Sequence, residues 1–488
     1  MAFECLAGFL IQQIVMKQIL IFFFILGFTP GGPISAQQLK LRKGVIIDSL
    51  RVNDTLPESF ALYLPTQFEK AGKWPVIFVF DMKGRGRQVL RMFREAAEKQ
   101  QYILAASNNT YDSLSLSQNI LIANRVFTIV SAILPVHRDR IYTSGFASGA
   151  KIAALVPTIV KQIDGVISCG SAVPNTDILS TKNSYHFVGI VGKQDFNYAE
   201  MLDAEEVLNK AKIPNNLLTF DGGQQWPESD YLERGMEILT LASMAKGNAE
   251  KDEDFIQKAL ARDMKEIEGL VEVKKMLDAY DMLEQVITIY RPHRNVDSLL
   301  ELKKELRKDK LFRSQRRTNN AILFKESFIK EDYKFNLLED ISTLNYNNLG
   351  WWNYQMGELA DYDKKPNPAE RQMGKRLKGY LNALIEDNID IEYAEPTVNT
   401  EALSFLWMLK TITDPKNYTY YLNIISDSAF YEDFGTALFY LEELLKNGYK
   451  DKSQLYELEH TALLRITPEF NEIVDKYLKD ARYDLIEE

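Results

Sequence analysis

Residues Gly145-Phe146-Ala147-Ser148-Gly149 have the spacing of a nucleophile elbow, G-x-S-x-G, whose middle residue projects a nucleophile above a sheet. A strand-like run, Arg140-Ile141-Tyr142-Thr143-Ser144, precedes them, and a helix-like run from Ala150 to Val160 follows. The chemistry of such a turn is acyl transfer. It needs an oxygen nucleophile, a base with a pKa of about 7 to take its proton, and a carboxylate to orient that base. The middle residue is Ala147, which supplies no oxygen. Ser148 reads as a hydroxyl at the start of the following helix, with its backbone N–H as an oxyanion donor. The alternative is an active serine hydrolase or esterase that uses Ser148, or another residue, as a shifted nucleophile. Of the four histidines, His137 precedes the elbow strand and His186 opens another strand. His293 and His460 lie in the second half of the chain; all four read as structural or solvated.

The elements that must position this turn alternate along the chain. Gly44–Val52 and Glu58–Leu64 read as a leading pair of strands. Val76-Ile77-Phe78-Val79-Phe80 is a continuous apolar run, as expected of a strand buried on both faces of a parallel sheet. Further runs are Tyr102–Ala106, Arg140–Ser144, Gly165–Cys169, His186–Val191 and Leu217–Phe220. Helical patterns intervene at Arg87–Lys99, Ser117–Leu134, Ala150–Val160, Asn197–Ala211 and Ser229–Ala245. The alternation predicts a doubly wound α/β domain with a mostly parallel sheet over residues 37–247. Residues 248–488 change character: charges are dense, glycine is scarce, and apolar residues recur at helical spacing. They are expected to form an all-helical domain. Its last part reads as helices Tyr431–Asn447, Ser453–Leu464 and Pro468–Ala481, with Pro468 near a helix start.

The chain has 488 residues, 46% hydrophobic and 26% charged, with a net charge of -10. The length calls for two or three domains. The acidic balance argues against nucleic acid as a partner, because phosphate binding wants a basic face. Met16-Lys17-Gln18, the apolar run Ile19 to Phe28, and the exit Ile34-Ser35-Ala36 read as a signal peptide over residues 1–36, with Met16 as a candidate start. Its core is shorter than the ~20 residues that span a bilayer, so no stable span is expected after cleavage. The expected location is periplasmic or secreted. Cys169, in Val166-Ile167-Ser168-Cys169-Gly170, reads as a buried strand residue.

The front half resembles secreted α/β-hydrolases of the feruloyl-esterase and polyhydroxybutyrate-depolymerase kind, over roughly residues 39–245. The resemblance implies a triad in the chain order serine, acid, histidine. On that template the nucleophile station is Ala147, and the acid station is Asp195, in Val191-Gly192-Lys193-Gln194-Asp195-Phe196-Asn197. The base station is Gln224, in Phe220-Asp221-Gly222-Gly223-Gln224-Gln225-Trp226-Pro227, where relatives commonly carry Gly-Gly-His-x-Trp-Pro. Glutamine cannot take a proton in this pH range. Asp195 is then expected either to preserve the pocket, through a hydrogen bond to the Gln224 amide, or to bind a ligand. The loop Phe80-Asp81-Met82-Lys83-Gly84-Arg85-Gly86-Arg87 stands where relatives place the other oxyanion donor, with Asp81 in a position where many carry histidine. Met82, Lys83 and Ser148 are the candidate anion-binding residues, and a simply solvated basic loop is the alternative.

The tail Phe434-Gly435-Thr436-Ala437-Leu438, with Arg465-Ile466-Thr467-Pro468-Glu469-Phe470, resembles the closing units of tetratricopeptide-type helical arrays; an irregular helical bundle is the alternative. No Cys or His cluster has metal-ligand spacing, and no cofactor motif is present. Lys303–Lys310 and Arg313–Arg317 read as an exposed basic face, with a polyanion or partner contact as the alternative. The combined expectation is an exported α/β-hydrolase-like protein with its catalytic triad degenerate, which binds a protein or a small acyl or glycan ligand.

Overall fold

The computed structural model describes residues 41–174 and 185–481. The expected signal peptide and the candidate start at Met16 lie outside the described residues. Eight strands form one sheet: β1 (Ile46–Arg51), β2 (Ser59–Tyr63), β3 (Trp74–Phe80), β4 (Ile103–Ser107), β5 (Val136–Phe146), β6 (Ile163–Cys169), β7 (His186–Gly192) and β8 (Asn215–Phe220). Their spatial order is β1-β2-β4-β3-β5-β6-β7-β8. β2 runs antiparallel to both β1 and β4, and every later pair is parallel. That order, with its single reversed strand, is the α/β-hydrolase fold, as expected from the alternation of runs. The strands in the middle are apolar without a break because helices cover both faces; Val76 to Phe80 are all buried.

Five helices make the connections: α1 (Gly86–Gln100), α2 (Leu116–Ile133), α3 (Ser148–Ile159), α4 (Tyr198–Lys210) and α5 (Ser229–Ala245). α1 buries Val89, Leu90, Phe93, Ala96 and Ala97 along one face. α2 starts at a capping box made by Ser115 and Gln118, so its two side chains satisfy backbone donors that the first turn leaves open. α2 is also, by length and composition, the one described helix apolar enough to cross a bilayer. Its Ile122, Ala123, Val126 and Val130 are buried in the protein.

Beyond Lys246 the described chain is helical: α6 (Glu253–Glu272), α7 (Met276–Tyr290), α8 (Asp297–Lys308), α9 (Lys310–Thr343), α10 (Leu349–Tyr362), α11 (Pro368–Ala394), α12 (Thr400–Thr413), α13 (Tyr418–Phe430), α14 (Phe434–Lys446), α15 (Lys452–Glu457), α16 (Ala462–Arg465) and α17 (Pro468–Leu478). Side chains of Asp252, Asp309, Asn367, Asn399, Asp433, Asp451 and Thr467 cap these helices by accepting first-turn N–H groups. Pro368 and Pro468 follow two of those caps, where a missing N–H costs nothing. The expected helix Ser453–Leu464 is in fact two, α15 and α16. The chain turns at His460, which has φ +63°, and buried Thr461 donates its hydroxyl to Leu458 O at 2.7 Å. One apolar core runs from Leu232, Met236 and Leu239 of α5 through Ile256 and Ile267 of α6 to Leu283 and Ile287 of α7. The compositional change near residue 247 is therefore crossed by a continuous buried cluster.

Candidate functional site

In an open parallel sheet, ligands sit beyond the carboxyl ends of the strands, where the strand order reverses. In this sheet the reversal lies between β3 and β5, and the elbow stands at the end of β5. Ala147 has φ +51° and ψ -120°, a backbone conformation that a residue with a side chain holds only under strain. The flanking glycines are required by contact. A Cβ on Gly145 would lie 2.4 Å from the carbonyl of Gly149, and one on Gly149 would lie 2.3 Å from Phe80 O. The turn thus closes on itself and against the end of β3. Ala147 N–H donates to Cys169 O at 3.0 Å, which ties the elbow to β6. Ser148 is the first residue of α3, and its side chain is exposed.

The acid and base loops converge on the same edge. Lys193 N–H donates to Phe220 O at 2.8 Å and Gln194 N–H to Gly222 O at 2.9 Å, so the loops after β7 and β8 lie together. The Trp226 ring stacks on Phe146 of the elbow at 5.6 Å and meets Phe93 of α1 edge-on at 6.0 Å. Phe146 and the Asp195 carboxylate both crowd Gly170, where a Cβ would lie 2.9 Å from Asp195 Oδ2 and 3.1 Å from the phenylalanine ring. Asp195 is buried, and its Oδ1 accepts the N–H of Asn197 at 2.9 Å. Burial pushes its carboxyl up to about 6, against the pull of the Asn197 N–H and of Lys330. Gln224 is exposed on the loop after β8, and no hydrogen bond joins it to Asp195. The expected Asp195–Gln224 bond is replaced by a local turn, because the Asn197 N–H is two residues away and needs no loop ordering.

The histidines stand elsewhere. His186 opens β7 and His137 is the second residue of β5, so both lie at the amino ends of parallel strands, roughly 15–30 Å along the sheet from the elbow. His186 is half-buried with Nε2 2.8 Å from Asn216 Oδ1, and desolvation holds its pKa down to about 4. His293 Nε2 lies 3.1 Å from Leu241 O. His460 packs its ring against Phe430.

The loop after β3 places Met82 beside Gly149 at the foot of α3, with Met82 Cγ 3.5 Å from where a Gly149 Cβ would stand. Its charges are spent locally. Burial works to raise the Asp81 carboxyl, yet the side-chain and backbone donors of Arg85 outweigh it and hold the group below its usual range. Arg85 Nε and Nη2 reach Asp81 at 3.0 and 2.9 Å, and the backbone N–H groups of Arg85 and Lys83 also point to this carboxylate. Lys83 itself is exposed.

A feature that sequence reasoning missed lies over this edge. Arg376 of α11 and Glu326 of α9 are 2% and 1% exposed. Arg376 Nε and Nη2 bind Glu326 Oε2 at 2.9 and 2.6 Å, and Nη1 donates to Lys193 O at 2.7 Å. Lys330 of α9 lies 3.0 Å from Glu326 Oε1 and donates to Phe196 O at 2.9 Å. The Arg376 guanidinium also faces the Tyr198 ring at 5.2 Å. Two cationic side chains from the helical half, joined by Glu326 between them, therefore grip both sides of Asp195. Next to them, between β8 and helices α6, α7, α9 and α11, opens a cleft of about 930 Å³. Lys193, Gln194, Phe220, Gln285, Gln315 and Arg371 are among the residues that line it. No cluster of three metal-ligating side chains occurs among the described residues.

No protein-family model matches this chain, and no curated protein matches it. Solved structures that resemble it include an S-formylglutathione hydrolase from Staphylococcus aureus, at 14% identity and a TM-score of 0.33, covering 41% of this chain and 97% of that one. A thermophilic esterase from Thermogutta terrifontis is 16% identical, with a TM-score of 0.34, covering 42% of this chain and 95% of that one. A ferulic acid esterase is 13% identical, with a TM-score of 0.31, covering 39% and 93%.

Proposed function

We propose that this is an exported α/β-hydrolase-fold protein with a degenerate triad, which acts by binding and does not catalyse acyl transfer. The observation that carries the reading is Ala147: it occupies the strained apex of a complete elbow and offers no oxygen. The surroundings agree. Ser148 sits in the first turn of α3 with no imidazole as partner, and Gln224 stands at the base station. The Asp195 carboxyl, pushed up to about 6, has no histidine beside it to orient. A protein or a small acyl or glycan ligand is the expected occupant, and the cleft beside the acid and base loops has the size of a ligand site. Export rests on the apolar run after Met16, and the tetratricopeptide-like character of the tail on the residues from Phe434 to Phe470.

The test is hydrolysis of short aryl esters by the purified chain. Losing serine or histidine alone from such a site costs ~10⁶ in kcat, so turnover should lie about a millionfold below that of an intact esterase. Turnover that vanishes in Ser148→Ala would overturn the reading.

A further inference from the structure

The longest helix, α9, has two unlike faces. Its inner face buries Ile322, Glu326, Tyr333, Leu337 and Asp340. On the outer face Phe324, Phe328 and Phe335 are 66%, 52% and 67% exposed, and Leu338 is 47% exposed. At about 100° per residue these four fall within ~80° of one another, in a stripe ~21 Å long. A single exposed apolar side chain needs no explanation, but a row of three phenylalanines on one helix does. The rings of Phe324 and Phe328 meet edge to face at 4.7 Å. The same sector carries opposite charges toward its two ends. Exposed Arg313 and Arg317 precede the stripe, and exposed Glu331 and Glu339 lie in its second half. Among the described residues no ion pair holds any of these four.

We propose that this face is a homodimer interface, in which two copies of the chain pair α9 antiparallel about a two-fold axis. The order of charges selects this occupant. An antiparallel second copy sets the basic part of each helix against the acidic part of the other, twice, whereas a parallel copy opposes like charges. An axis between Phe324 and Phe328 packs Phe324 of one copy on Phe328 of the other. The same axis faces Arg313 with Glu339 and brings Arg317 to Phe335 and Glu331. The phenylalanines are the anchors and the charges fix the direction.

Sedimentation of the purified full chain over a range of concentrations tests this. The chain should form a dimer. Phe328→Glu combined with Phe335→Glu should raise the dimer Kd at least about thirtyfold, with thermal unfolding of the fold retained. Arg313→Glu and Glu339→Arg should each raise it about tenfold, and the two together should restore it. A monomer at every concentration, a dimer indifferent to the phenylalanine substitutions, or a double charge swap no tighter than its single swaps would each overturn the proposal. So would a monomer whose phenylalanine variant alone loses binding to anionic phospholipid vesicles, since the stripe would then serve a membrane surface.

Discussion

Ala147, Asp195 and Gln224 stand on the turns that follow β5, β7 and β8. The steric demands of the elbow persist, because Gly145 and Gly149 face backbone atoms at 2.3–2.4 Å whatever the middle residue carries. A carboxylate beside an imidazolium would stay ionised, whereas burial pushes the Asp195 carboxyl up to about 6. The sign of the consequence follows from proton linkage. Between the ordinary aspartate pKa of about 4 and the folded value, the native state binds more protons than the unfolded state, so stability falls as pH rises through that window. Asp195→Asn keeps the acceptor for the Asn197 N–H and removes the charge. It should leave stability unchanged near pH 3.5 and raise it by about 1–3 kcal/mol at pH 7.5. Denaturant midpoints at the two pH values check this; a variant less stable than wild type at pH 7.5 would assign the ionised carboxylate a favourable partner.

At the scale of elements, the strand and helix pattern of the front half was legible because each buried strand is a short apolar run bounded by polar residues. The predicted runs Val76–Phe80, Gly165–Cys169 and His186–Val191 coincide with β3, β6 and β7 to within two residues. The turns after β5, β7 and β8 were legible because each is a short segment between an apolar run and a helical pattern. The charged grip on the acid loop was not. Glu326 and Lys330 are an i,i+4 pair on an amphipathic helix, a pattern that reads as a solvated face. What buries them is Arg376 and the acid loop, and Arg376 is 183 residues from Lys193, a separation no local pattern reports. The break between α15 and α16 was hidden for a similar reason: it turns on the positive φ of His460 and the burial of Thr461, not on a glycine or proline. Removing one member of a buried charge cluster strands the others, so Arg376→Ala should cost about 3–5 kcal/mol in chemical denaturation. A loss below about 1 kcal/mol would mean that the acid loop is held by something other than this cluster.

Over the whole molecule, the helical half is built onto the hydrolase-like half. Its α6 and α7 complete the core begun by α5, and α9 and α11 lie against the loop that carries Asp195. α9 thus faces the Asp195 loop with Glu326 and Lys330 and faces outward with its phenylalanine stripe. The proposed function requires that the elbow hold no nucleophile. Intact-mass analysis after treatment with a fluorophosphonate probe tests this most directly, because the probe reports an activated serine without requiring the right substrate. The account predicts no added mass on the wild-type chain. A stoichiometric adduct that maps to Ser148 and is absent from Ser148→Ala would contradict it.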